Sequence, residues 1–441
     1  MPFTQQALPS PSRRAVVIGG VRTPFVKAFS EFMELDTIAL GVHAVRGLLD
    51  RFDLPRQHVD ALIWGGVILP SQAPNTAREI ALESELAPSL DALTVTRACT
   101  SGLQAVTLAA ASIERGEAEV VIAGGSDSTS NAEVNLPRKL VHAAAPFVFG
   151  KPTAADVLGA LGQLLPVSEI LPRLPRIAER STGQTMGEAA EQMARRNEIS
   201  RAAQDEFAVR SHQRAARAIA SGRFAGELVS VETGSNGERR RIASDTLVRA
   251  DTSVEKLATL KPAFAEAGTL TAGNSSPLTD GAAAVLLMSE DRAKQLGLRP
   301  LARFASWSYV GVDPRDQLLL GPAMAMPLAL ARAGYELGQI DLIDMHEAFA
   351  AQVLSVLKML ASESFARARL GREHAVGAID PDRLNVHGGS LALGHPFAAT
   401  GARMVTTMAN ELALSGKRSA LLGICAAGGL AAAAVLENAS A

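Results

Sequence analysis

Two cysteines stand in this chain of 441 residues, each in a turn of small side chains: Arg97-Ala98-Cys99-Thr100-Ser101-Gly102 and Gly423-Ile424-Cys425-Ala426-Ala427-Gly428-Gly429. A third turn of similar texture lies between them, Asn385-Val386-His387-Gly388-Gly389-Ser390 through Gly394-His395-Pro396. One thiol that attacks, a second that moves a proton and an imidazole that serves them would make an acyl-transfer site with no metal and no redox cofactor. Cys99 precedes a predicted helix, whose free N–H groups and dipole are expected to lower its pKa and favour the thiolate. Taken alone, a cysteine at a strand–helix junction is more often a packing residue, and it is the repeated turn pattern that favours the nucleophile. His395 is held in a turn closed by proline, as a general base must be held. His387 competes with it on composition, and spacing does not separate the two.

Cys425 ends a predicted buried strand, and the small residues after it would let backbone N–H groups approach a ligand oxygen. A buried apolar cysteine at a strand end is the plainer reading of the same pattern. His346-Glu347-Ala348-Phe349 follows another predicted strand. No histidine stands four residues on, so zinc is not expected. His346 suits a hydrogen-bond donor to a developing oxyanion, and Glu347 suits packing at a helix start.

The elements that would position these groups read as βα units. Residues 14–19 and 59–65 are strand-like, Thr37 to Phe52 has helical spacing, and a helix from about Ser101 to Arg115 leads into a strand at 119–125. Such alternation predicts a mainly parallel sheet. The order recurs late in the chain: residues 340–345 echo 59–64, while Thr400-Gly401-Ala402, a helix to about Leu414 and a strand at 419–424 echo the unit after Cys99. Two similar α/β halves are expected, with the reactive turns at equivalent strand ends, where open sheets place ligands. The expected boundaries are 1–130 for the first part of the N-terminal half, 131–257 for an inserted domain, 258–297 for completion of that half and 298–441 for the C-terminal half.

Hydrophobic residues make up 47% of the chain and the formal net charge is −2, which describes a large-cored globular protein without an electrostatic footprint for nucleic acid. Residues 131–257 carry 18 Lys and Arg against 15 Asp and Glu, a mild basic excess that suits a phosphorylated small molecule or simply a solvated surface. Two cysteines build no disulfide framework, Met1 to Ser12 lacks the pattern of a signal peptide, and a cytoplasmic location is expected. Val157, Leu158, Leu161, Leu164 and Leu165 form an apolar helical stripe within the insertion, suited to packing on its own domain, to a partner or, less well, to a membrane surface.

Together these blocks resemble the thiolase family. Arg22-Thr23-Pro24-Phe25, the Cys99 turn, Gly268 to Ala283 with its Asn274-Ser275-Ser276 turn, His346-Glu347-Ala348-Phe349, Gly388-Gly389 through His395-Pro396, and Cys425 with its double glycine occur in family order. The resemblance implies a five-layered α-β-α-β-α fold of two mixed-sheet halves with an inserted loop domain. It also implies a coenzyme A thioester as substrate and no other cofactor. By position Cys99 would carry the acyl group, His395 would activate it and Cys425 would protonate or deprotonate the acetyl carbon. The backbone N–H groups of Cys99 and Ala427 would form one oxyanion hole, and His395 with His346 the other. Met186, Gly187, Ser275, Ala348 and Phe349 would touch coenzyme A.

Many short-chain thiolases have asparagine where this chain has His346. That histidine, the Cys-Ala-Ala-Gly-Gly turn and the insertion 138–180 resemble the β-subunits of trifunctional fatty-acid oxidation complexes. The expected reaction is therefore thiolytic cleavage of a 3-ketoacyl-CoA, whose reverse is condensation of two acyl thioesters; the alternative is a biosynthetic acetoacetyl-CoA thiolase that condenses two acetyl-CoA molecules. A related condensing synthase would lack the second thiol, and a non-catalytic carrier or scaffold of this fold would be expected to lose Cys99 or His395. The same resemblance implies a homodimer or tetramer and allows a hydratase/dehydrogenase α-subunit as partner.

Overall fold

In the computed structural model, residues 13–134, 136–163, 166, 178–234 and 239–440 are described. Met1 to Ser12, Leu164 and Leu165 lie outside them, so the readings made there are not addressed. The strands are β1 (Ala15–Arg22), β2 (Val26–Lys27), β3 (Ala61–Gly65), β4 (Asp91–Val95), β5 (Val120–Asp127), β6 (Val231–Thr233), β7 (Arg240–Ile242), β8 (Thr279–Ser289), β9 (Ala302–Gly311), β10 (Leu342–Met345), β11 (Ser419–Ala426) and β12 (Leu430–Asn438). The main sheet runs β10-β11-β12-β9-β1-β8-β5-β3-β4, with β2 added to β8, while β6 and β7 form a separate ribbon.

Counting outward from the β9–β1 junction gives β12, β11, β10 on one side and β8, β5, β3 on the other, so the repeat expected from the sequence is present as an internal symmetry. The junction itself is slight, Val16 opposite Arg303 and Val17 opposite Ala302. The β3–β4, β3–β5 and β10–β11 ladders are parallel. The ladders of the middle, β5–β8, β8–β1, β11–β12 and β12–β9, are antiparallel. The mainly parallel sheet expected from βα alternation is thus corrected to a mixed one. Both β8 and β12 are almost wholly buried alanine-rich runs, and burial on both faces makes an antiparallel strand read like a parallel one.

Two helices, Ser101–Glu114 and Ala399–Ser415, lie between the two halves of the sheet and share one apolar core with its inner faces. Thr37–Arg51 and Thr76–Glu83 cover the outer face of the first half, and Pro322–Ala333 and Ala350–Leu360 that of the second. The result is five layers, α-β-α-β-α. The central helices approach closely because glycine faces backbone at their crossing: a Cβ on Gly102 would collide with the Ala398 carbonyl oxygen, and one on Gly401 with the backbone of Leu103.

The stretch 131–257, expected as one inserted domain, divides. Ala132–Ile177 forms a compact unit of its own, whereas the chain from Ala178 onward belongs with the main body. Helices Met186–Arg196 and Arg201–Ala220 contribute Met193, Ala194, Phe207 and Ala208 to the core beneath Ala350–Leu360. Within the smaller unit, helices Arg138–Phe149 and Ala154–Gln163 bury little: Phe149 is 87% and Leu158 72% exposed.

Candidate active site

The two reactive turns come together, but not at equivalent strand ends as expected: Cys99 follows β4 at the edge of the sheet, whereas Cys425 lies near the end of β11, whose counterpart in the first half is β5. Cys99 sits one residue before Thr100, the cap of the Ser101–Glu114 helix, and directly after Ala98, whose φ of +48° is uncommon for a residue with a side chain. Ser101 Oγ fixes this turn by donating to the Ala98 carbonyl at 2.6 Å and accepting from Arg97 N–H at 2.7 Å. The Cys99 sulfur accepts a hydrogen bond from the backbone N–H of Ala427, in the turn that follows Cys425. Cys425 is buried close enough that a charge on Cys99 opposes its ionisation.

The expectation that helix position would make Cys99 a thiolate is overturned. Burial pushes the thiol up to about 12, outweighing the Ala427 N–H, and the nearby Asp127 carboxylate pushes the same way. Cys425 is likewise held well above the usual thiol range by burial and by Cys99. At rest both sulfurs are protonated, so the nucleophile is made when a base removes its proton rather than stored as an anion.

Two imidazoles are in the state such a base requires. His346 and His395 have ring centroids 4.1 Å apart. His395 Nδ1 is paired with Thr400 Oγ1 at 2.7 Å and His346 Nδ1 with Ser390 Oγ at 2.9 Å, while Nε2 of each is buried without a protein partner. A hydroxyl can donate or accept, so each ring can present Nε2 either as a lone pair or as N–H. Burial lowers His395 to about 3, helped by the charge of Arg403, and holds His346 well below the usual range. Both are neutral near pH 7, the state a base and an N–H donor require. His346 also ties its segment to the Cys425 strand, its N–H donating to the Gly423 carbonyl at 2.8 Å.

His387, the rival on composition, belongs elsewhere: its Nε2 pairs with Glu411 at 2.7 Å and its ring packs edge-on to Phe224. Glu347 is fully buried and does more than start a helix. Its carboxylate accepts from Ser211 Oγ at 2.6 Å, Asn385 Nδ2 at 2.6 Å and Leu391 N–H at 3.2 Å, anchoring the turn that carries Ser390 and His395. Asn385 and Phe397, at the two ends of this segment, have φ of +48° and +26°. Behind the rings, Arg403 and Asp344 form a buried ion pair of 2.9 Å. The sequence reading missed Ser390, Thr400, Asn385, Asp127 and Arg403; all but Asp127 lie within a few residues of the histidines or in the helix after them, and that proximity was the available signal.

The five residues expected along coenzyme A also form one neighbourhood. Ser275 pairs through its backbone with Phe349, and Ala348 accepts from Ser276 N–H at 3.0 Å. Phe349 meets Phe264 edge to face at 5.8 Å, and Phe264 packs on the bare backbone of Gly187, next to the half-buried Met186. Ser275 Oγ is buried and unpartnered. Among the described residues no cluster of His, Cys, Asp or Glu could hold a metal ion, and no helix is long and apolar enough to cross a membrane.

A five-layered α/β fold with a cysteine, a second cysteine and a neutral histidine pair at its seam defines an acyl-transferring enzyme of the thiol type. Comparison with known proteins agrees: residues 15–291 match the thiolase N-terminal domain and residues 298–438 the thiolase C-terminal domain. A 3-ketoacyl-CoA thiolase of Citrobacter koseri is 44% identical over 436 residues, covering 98% of this chain and 99% of that one. One of Aeromonas salmonicida is 45% identical over 425 residues, covering 96% and 97%. Among solved structures, the acetyl-CoA acetyltransferase of Bacillus anthracis superposes with a TM-score of 0.82 at 32% identity, covering 98% of this chain and 100% of that one. Human mitochondrial 3-ketoacyl-CoA thiolase does so with a TM-score of 0.81 at 30% identity and the same coverage. The chain belongs to the thiolase family.

Proposed function

We propose that this protein cleaves 3-ketoacyl-CoA with coenzyme A, giving acetyl-CoA and an acyl-CoA shortened by two carbons, as a step of fatty-acid oxidation. The observation that carries the reading is a neutral imidazole pair with both Nε2 atoms free, tied to the Cys425 strand through the His346 N–H to Gly423 bond, together with two protonated thiols that sense one another. His395 Nε2 takes the Cys99 proton as sulfur attacks the 3-keto carbon; its Nδ1–H donates to Thr400 meanwhile. The bond between C2 and C3 then breaks, the acyl group stays on Cys99, and Cys425 gives its proton to C2 of the departing acetyl-CoA enolate. The thiol of incoming coenzyme A returns a proton to Cys425 and attacks the acyl carbon. His395 gives its proton back to the Cys99 sulfur as that bond breaks.

His346 serves as the donor to the thioester oxygen that becomes enolate, its Nδ1 accepting from Ser390. The N–H groups of Ala427 and Cys99 receive the oxyanion on the attacked carbon. Met186, Gly187, Ser275, Ala348 and Phe349 line the pantetheine path. Mixing the protein with acetyl-CoA should leave one acetyl group on Cys99 by mass spectrometry. Cys99→Ser should abolish both adduct and turnover, whereas Cys425→Ser should keep the adduct and lose carbon–carbon cleavage. An adduct on another residue, or carbon–carbon cleavage that survives in Cys425→Ser, would contradict these roles; slower formation of the adduct in Cys425→Ser would not, because Cys425 also protonates the departing coenzyme A sulfur.

A homodimer fits the same reading. Among the described residues, strand β4 ends the sheet, pairs only with β3, and carries Leu93 at 47% exposure, an open edge of the kind a second copy can extend.

A further inference from the structure

One buried carboxylate near Cys99 takes no part in the steps above. Asp127 ends β5, is fully buried, and accepts three backbone hydrogen bonds: Val67 N–H at 2.9 Å and Ile68 N–H at 2.6 Å on Oδ1, and Ala398 N–H at 2.8 Å on Oδ2. The donors belong to different halves. Val67 and Ile68 follow β3, whereas Ala398 stands three residues after His395 and caps the helix Ala399–Ser415. We propose that Asp127 is a positioning residue of this site: its carboxylate fastens the loop carrying His395 to the half of the molecule carrying Cys99. The proposal rests on the reading of Cys99 and His395 as reaction partners.

Several observations bear on it. The loop needs a fastening, because Phe397, just before Ala398, is held at φ +26°, and such strain persists only where surrounding contacts over-determine it. The fastening depends on charge. The titratable groups facing Asp127 are Asp280 on β8, which accepts from Ser130 N–H at 3.0 Å, and the Cys99 thiol at the start of the neighbouring helix. Asp280 disfavours its ionisation while the thiol, protonated at rest, carries no charge to oppose it, so the three N–H dipoles and the amino end of the Ala399–Ser415 helix are what favour the anion. Burial raises this carboxyl to about 7, so it loses its charge close to neutral pH. Once protonated it is a weak acceptor, and the Ala398 tie slackens. A displacement of about 1 Å between reacting groups can cost on the order of a hundredfold in rate.

The test uses the full-length protein and 3-oxoacyl-CoA cleavage. Asp127→Asn has one acceptor oxygen for three N–H groups and turns an amide donor toward one of them. Its kcat should fall tenfold or more with KM within about twofold. Wild type should lose kcat as pH drops through about 7, and in Asp127→Asn that acid limb should vanish. Folded Asp127→Asn with wild-type kcat and an unchanged limb would overturn the assignment while inactive Cys99→Ser leaves the acyl-transfer reading standing; an active Cys99→Ser takes both down. Should Asp127→Asn not fold, the wild-type protein decides: acetylation of Cys99 by acetyl-CoA that slows below pH 7 supports the proposal, and a rate flat from pH 6 to 8.5 overturns it.

Discussion

The histidine pair is neutral because it is buried, and that has a cost the protein meets elsewhere as pH falls. His395 binds its proton at about 3 in the folded chain, against an ordinary value of 6.5. An unfolded chain therefore takes up a proton that the folded one refuses between pH 6.5 and 3, and this residue's contribution to stability drains away over that window. Asp127 runs the other way, raised from 3.8 to about 7, so acid favours its folded form between those values even as it loosens the Ala398 tie. His395→Gln should lose less thermal stability than wild type between pH 6.5 and 4. A steeper or equal fall in melting temperature over that range would count against the neutral, buried imidazole.

At the scale of elements, the site is a consequence of two helices allowed to touch. Gly102 and Gly401 sit where Ser101–Glu114 crosses the start of Ala399–Ser415, and each faces backbone. Gly102→Ala adds a methyl with nowhere to go, an overpacking that typically costs about 1–3 kcal/mol. It should also slow Cys99 acetylation, since the same contact spaces the two reactive loops. Unchanged denaturant midpoint and acetylation rate would show the crossing to be slack. The sequence made most of this legible: glycine-rich turns, a helix after each, and the repeat of strand and helix marked where reactive groups would sit. It misled where packing rather than pattern decides. Alternating βα units concealed the antiparallel middle of the sheet, and a helix start was taken to acidify Cys99 although desolvation outweighs a dipole. The role of Asp127 depends on a residue 271 positions away, which no local pattern encodes.

For the whole molecule, the open edge at β4 is the feature with the most direct consequence. Its backbone and Leu93 face outward beside the turn that carries Cys99, so a second copy joining there would stiffen the strand leading into the nucleophile. Leu93→Lys places a charge on that edge, a device that blocks strand addition. Light scattering should find wild type at twice the chain mass and Leu93→Lys at the chain mass. A wild-type monomer would rule the dimer out, and a variant that stays paired would move the contact elsewhere.

Among the described residues the sheet halves are joined by Val16–Arg303, Val17–Ala302 and the Leu301 N–H to Val17 bond, so the pair is held together chiefly by the helices packed between them. Each half brings one sulfur, and neither contains a complete set of tools: the protein works as two cooperating lobes on a single polypeptide, and bringing those lobes into register is itself the act that assembles the catalyst.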